Sequence, residues 1–290
     1  MIRRLALGTV QFGVSYGVAN RSGQVTLNET AAILQESSAR GMTMLDTAIV
    51  YGDSEERLGK IGIPNWLVVS KLPEIPPTCS NVTEWVFASV ADSLKRLGKN
   101  SLYGLLLHCP EQLLKPEGET LYGAMEMLKE QGLVRKIGVS IYNPEELDHI
   151  CSRFRMDLIQ APFNILDRRL LISGWLPKLH QAGVEVHVRS IFLQGLLLME
   201  AGKRPAKFNR WQPLWDQWHL WLKEKELTPV QACIGFVLSH PEIDRVVFGV
   251  DNVRQLEEIL AAAEKEVPAS PVFLKIEDLD IINPSRWEVL

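Results

Sequence analysis

Short apolar runs alternate with longer amphipathic stretches along the whole chain. The runs Leu5–Gly8, Met44–Asp46, Leu67–Ser70, Leu102–His108, Val134–Val139, Leu158–Gln160, Val184–Val188 and Arg245–Phe248 are rich in leucine and β-branched residues. Most are nearly continuous rather than alternating, which predicts parallel strands covered on both faces. Between them, helical spacing predicts helices over Leu27–Arg40, Ser54–Lys60, Val82–Leu97, Leu121–Glu130, Pro144–Arg153, Arg169–Gln181 and Pro229–Leu238, with another after the last strand over Arg254–Ala263. Asn143-Pro144-Glu145-Glu146 reads as an N-cap, an N1 proline and an acidic first turn. Gly41, Gly132 and Gly183 fall just past helix ends, where a left-handed cap is needed.

Strand followed by helix, repeated eight times in a chain of 290 residues, predicts an α/β fold. Count and length match a (β/α)8 TIM barrel, which takes about 250 residues. An open doubly wound sheet is the alternative, weakened by the lack of a G-x-G-x-x-G turn after the first strand. No composition break divides the chain, so residues 1–290 are expected to form a single domain. Arg189–Glu226 is an enlarged loop after strand 7, and Glu264–Leu290 is a C-terminal tail beyond the barrel.

Composition narrows the class of function. With 46% apolar and 23% charged residues the chain has ample material for a core. A net charge of −4 argues against nucleic-acid or anionic-membrane partners. No segment approaches the roughly 20 apolar residues of a membrane helix. The N-terminal run is broken by Gln11 and offers no cleavage site, which speaks against a signal peptide. Cys79, Cys109, Cys151 and Cys233 lie far apart with no C-x-x-C pair, as expected of buried thiols in a reducing compartment. A cytoplasmic location follows as an expectation; the oligomeric state is left open.

In such a barrel the C-terminal strand ends build the active site. Strand 2 delivers Asp46 and, in its loop, Tyr51; strand 3 ends in Lys71 and strand 4 in His108. Strands 5, 6 and 7 end in Ser140, Gln160 and Arg189-Ser190. Each residue alone has a bland reading: a helix cap, a solvated lysine, a packed histidine, a half-buried ring. Together they suit proton donation to a carbonyl. A lysine beside a tyrosine lowers the phenol's ordinary pKa of about 10, and an aspartate holds the lysine. The phenol then protonates the carbonyl oxygen while a histidine orients it. No metal-ligand cluster is present, so the electrons must come from elsewhere, and a nicotinamide hydride fills the gap.

These residues carry a resemblance to the aldo-keto reductase superfamily. "LDTAIVYG" at 45–52 resembles its Asp-x-x-x-x-Tyr-Gly motif, and Lys71 and His108 complete the set in order. "VRKIGVSIYNPEEL" and "LIQAPFNILDRR" are similar to its fifth- and sixth-strand segments. The resemblance implies Tyr51 as general acid, Lys71 as its modulator, Asp46 holding Lys71, and His108 orienting the carbonyl. It implies NADP(H), with NAD(H) as the alternative, along the C-terminal rim. Ser140 and Gln160 would hold the carboxamide. Arg189 would stand beside the nicotinamide, and Ser190, Leu193, Gln194 and Gly195 would follow the pyrophosphate. Gly249, Val250, Asp251, Gln255 and Glu258 would lie near the adenosine.

Three positions depart from that pattern. Ile141 stands where the carboxamide pair usually has asparagine, and Arg189 stands where an aromatic ring often stacks. Gly249 and Gln255 stand where some members place cations for a 2′-phosphate, and Arg254 is a candidate substitute. Outside the motif, Trp211, Trp215, Trp218 and Trp221 share one helical face, read as packing, as a pocket wall or as a subunit contact. His219 falls off that face and is expected in solvent. Trp287 is expected over the barrel mouth or in packing. The leading reading is an NAD(P)H-dependent oxidoreductase acting on an aldehyde or ketone, with a sugar as one option. The alternative is a nucleotide-binding barrel that senses redox state or regulates a partner; a metal-dependent isomerase lacks the ligands.

Overall fold

The computed structural model describes residues 1–289. Eight strands run parallel in chain order: β1 Leu5–Gly8, β2 Met44–Asp46, β3 Leu67–Leu72, β4 Leu102–Leu107, β5 Val134–Ser140, β6 Leu158–Pro162, β7 Glu185–Arg189 and β8 Arg245–Phe248. β1 pairs with both β2 and β8, which closes the sheet into a (β/α)8 barrel.

Two apolar layers follow from the period of two in each strand. Ala6, Met44, Val69, Leu106, Leu158 and Val247 form a small interior cluster. Their chain neighbours pack outward against the helices in a much larger one. The interior cluster fixes what lies above it, because residues two apart share a face. Gly8, Asp46, Lys71, His108, Gln160 and Gly249 each follow an interior residue by two positions. The same step carries Gly138 to Ser140 and His187 to Arg189. The barrel's packing register therefore turns these positions towards its C-terminal mouth.

Several helices match their predicted spans, with Leu27–Ala39 capped by Thr26 and Val82–Leu97 capped by Asn81. Gly41, Gly132 and Gly183 take the expected positive φ. Two helices differ. The helix expected over 144–153 is only Glu146–Ile150, and Asn143 is not its cap: Asn143 Oδ1 accepts from Arg169 Nη1 instead. Glu146 caps backward, its carboxylate accepting the N–H groups of Tyr142 and Asn143. The helix expected over 169–181 breaks into Arg169–Ile172 and Trp175–Gln181 at Gly174, which has φ 80°.

The connection after β7 carries the helix Gln212–Glu224. Trp215, Trp218 and Trp221 are buried in the outer core, so this face packs the connection down and does not line the cavity at the barrel mouth. The Trp215 and Trp218 indoles donate to the carbonyls of Phe208 and Leu197. His219 corrects its expectation: it is half-buried and bonded to Arg204 at 3.0 Å. Trp287 is buried edge-on against Phe208, away from the mouth. Of the four thiols only Cys233 is buried. Among the described residues no helix is long and apolar enough to cross a membrane.

Candidate active site

Asp46 and Lys71 meet at the top of the barrel. Lys71 Nζ donates to Asp46 Oδ1 at 2.6 Å and to the Thr47 carbonyl at 2.9 Å, with both side chains almost wholly buried. Gln160 Nε2 donates to the other Asp46 oxygen at 2.6 Å, and Gln160 Oε1 accepts from Ser140 Oγ at 3.3 Å. Such pairing is what an almost fully buried charge requires.

Tyr51 enters from the turn after β2. That turn needs Gly52, which has φ 53° and lies so close to the segment after β1 that a Cβ would sit 2.3 Å from the Gly13 carbonyl oxygen. Ser54 Oγ donates to Thr9, whose hydroxyl donates to the Asp46 carbonyl, so the turn is tied to β1 and β2 together. Behind it Glu55 accepts from Ser70, Ser93 and twice from Arg96, anchoring the helix Ser54–Ile61. Lys71 Nζ lies 5.2 Å from the Tyr51 ring centre, and the His108 ring stands edge-on to it at 5.9 Å.

Burial pushes the Tyr51 phenol well above its ordinary value, reinforced by Asp46 and opposed by the Arg189 guanidinium. This departs from the sequence expectation of a phenol lowered by Lys71: desolvation of the phenolate dominates. A phenol held neutral is the form that donates a proton. Burial, then Lys71 and Arg189, push the His108 imidazole down to about 4, which leaves it neutral at physiological pH. Burial also pushes the Lys71 ammonium down, with Asp46 resisting.

A cavity of about 750 Å³ opens over these groups and runs from His108 and Tyr51 to Glu258. Of the residues expected near the cofactor, Ser140, Arg189, Ser190, Gln194, Gly195, Gly249, Asp251, Gln255 and Glu258 line it. Gln160, Leu193 and Val250 do not: their side chains are buried behind the wall, Gln160 holding Asp46. Arg254 is exposed and outside the lining. The sequence reading missed Tyr16, Tyr142, Gln11, Asn20 and Arg21, all of which line the cavity. Tyr142 had one available signal, standing two residues past the β5 rim position Ser140.

The loop after β7 is strained where it crosses the opening. Ser190, Leu193 and Gln194 have φ values of 59°, 50° and 53°, a region non-glycine residues seldom adopt. Gln194 reaches Tyr16 at 3.2 Å, and Gly195 comes so near Ala19 that a Cβ would lie 2.6 Å from it. The loops after β1 and β7 thus touch each other, and both line the cavity.

Two of the departures from the motif are neighbours. Arg189 Nη2 donates to the Ile141 carbonyl at 2.9 Å, and its Nε and Nη1 reach Ser140 and Ser190 at 3.3 Å. The guanidinium thereby occupies ground beside the position where the motif would carry an asparagine side chain.

A sequence model of the Aldo/keto reductase family matches residues 4–279. The chain belongs to the aldo/keto reductase family. The L-galactose dehydrogenase of Arabidopsis thaliana is 27% identical over 89% of this chain and 85% of its own. The D-threo-aldose 1-dehydrogenase of a Pseudomonas species is 25% identical, over 91% of this chain and 92% of its own. Among solved structures, the holo form of an aldo-keto reductase from Bacillus halodurans superposes with a TM-score of 0.72. It is 22% identical and covers 92% of this chain and 88% of its own, so this match bears on the barrel alone. As a member of the aldo/keto reductase family, the chain is an NAD(P)H-dependent oxidoreductase of carbonyl compounds.

Proposed function

We propose that the protein reduces an aldehyde or ketone to an alcohol with Tyr51 as the proton donor. The observation that carries this is the set at the mouth: Tyr51 and His108, both partly exposed to the cavity, over the buried Asp46–Lys71 pair. His108, being neutral, can donate a hydrogen bond to the carbonyl oxygen without competing as an acid. Tyr51 then supplies the proton as negative charge gathers on that oxygen, and Lys71 stabilises the phenolate left behind. Asp46 and Gln160 keep the Lys71 ammonium in place.

The cavity fits a nicotinamide dinucleotide, which when bound would supply the hydride. Its volume is in the range of cofactor sites. Gln11 Oε1 is buried without a hydrogen-bond partner and lies against Gly249, in the lining where a polar ligand would satisfy it. Ser140 and Arg189 would hold the nicotinamide end, Ser190, Gln194 and Gly195 the pyrophosphate, and Gly249, Asp251, Gln255 and Glu258 the adenosine. The family resemblance favours NADP(H). The carboxylates of Asp251 and Glu258 suit ribose hydroxyls better than a 2′-phosphate, while Arg21 and Lys203 are cations in the same lining, so NAD(H) stays beside it. The polar lining suits a hydroxylated carbonyl such as a sugar. Loss of NADPH or NADH absorbance with a panel of simple aldehydes and aldoses tests the reading; no consumption with any of them speaks against it.

A further inference from the structure

We propose that Arg189 makes the cavity distinguish the redox states of its dinucleotide, holding the reduced form more tightly than the oxidised one. The inference rests on the functional reading above. Arg189 stands at the end of β7 with its guanidinium over the Tyr142 ring, 4.6 Å from the ring centre. Its three hydrogen bonds go to two hydroxyls and a carbonyl, all neutral. Among the described residues no carboxylate forms an ion pair with it, unlike Lys71, which has Asp46. The carboxylate facing it from the neighbouring segment, Glu146, accepts the Tyr142 and Asn143 N–H groups instead.

The charge is felt throughout the mouth. Arg189 shares the cavity lining with Tyr51, Lys71 and His108, and it reaches Ser140, which bonds through Gln160 to Asp46, so it stands beside the reacting centre. With Asp46 and Lys71 cancelling, and both Tyr51 and His108 neutral, Arg189 leaves about one net positive charge there. A reduced nicotinamide ring is neutral, whereas the oxidised ring is a cation. A fixed, partly desolvated guanidinium therefore leaves the first undisturbed and repels the second. The two forms have the same adenosine and pyrophosphate, so the contacts to those parts cancel in the comparison. The ratio of their affinities reports on the nicotinamide end, and its change on substituting Arg189 isolates this interaction. In working terms, the site would load reduced dinucleotide and, once Tyr51 has regained its proton from solvent, release the oxidised form.

The test is isothermal titration of the full chain with NADPH, NADP⁺, NADH and NAD⁺. The wild type is expected to bind the reduced member of the preferred pair at least tenfold more tightly. Arg189→Gln and Arg189→Phe should bring that ratio towards one, mainly by tightening the oxidised form, while Arg189→Lys keeps most of it. Circular dichroism identifies any variant that fails to fold, and the wild-type ratio stands without variants. A wild-type ratio near one, or a ratio unchanged in Arg189→Gln, overturns the proposal. Binding of none of the four dinucleotides would instead overturn the functional reading on which it rests.

Discussion

Gln160 Nε2 lies 2.6 Å from Asp46 Oδ2, although the two residues are 114 positions apart in the chain. With Lys71 on the other carboxylate oxygen, Asp46 has both oxygens engaged from opposite sides of the barrel. Gln160→Leu should leave one buried carboxylate oxygen unpaired, at a cost of about 1–3 kcal/mol. Chemical denaturation should show this loss. Turnover should fall as well, because Lys71 is then less firmly held beneath Tyr51.

Gly52→Ala should be more damaging than an added methyl group suggests. The residue is left-handed, and its new Cβ would lie 2.3 Å from the Gly13 carbonyl oxygen, so the turn carrying Tyr51 must shift. A displacement of about 1 Å at a reacting group can cost about 100-fold in rate. Comparing kcat with dinucleotide affinity checks this: the first should drop far more than the second.

Glu55→Gln probes the anchor behind that turn. Glu55 is buried and accepts from Ser70, Ser93 and Arg96. Breaking this ion pair should destabilise the fold by about 3 kcal/mol, measured as a lower denaturant midpoint with an unchanged slope.

His108 sets the acid limb. Its folded pKa is depressed to about 4 against an ordinary value of about 6.5. Reductase kcat/KM should therefore be insensitive to this group from about pH 5.5 to 8 and decline as pH falls towards 4. The sign for stability is the same. The unfolded chain takes up this proton near pH 6.5 while the folded chain resists, so stability is full above 6.5 and drains away as pH falls to about 4. Arg189→Gln removes one of the depressing cations and should raise the His108 midpoint in an NMR titration.

The barrel and the convergence of four rim residues were legible in sequence because both rest on local signals. Continuous apolar runs mark buried parallel strands, and a polar residue ending such a run stands at the rim. β1, β2 and β8 have the bounds expected of them, and Asp46, Tyr51, Lys71 and His108 converge on one mouth. What stayed hidden depends on contacts across the barrel. Nothing near Gln160 announces that it turns inward to Asp46 rather than outward to the cavity. Asn143 looks like a cap until Arg169 claims its side chain. Gly174 breaks a helix whose apolar spacing continues straight through it. The phenol pKa was misjudged for the same reason, since burial is a property of the assembled site.

The central claim is that Tyr51 donates the proton over a lysine held by Asp46. Its most direct test is Tyr51→Phe, followed by loss of reduced-dinucleotide absorbance with an accepted aldehyde, alongside titration of dinucleotide binding. The account predicts a fall in kcat of about 100-fold or more with binding little changed. Full turnover by Tyr51→Phe would contradict it.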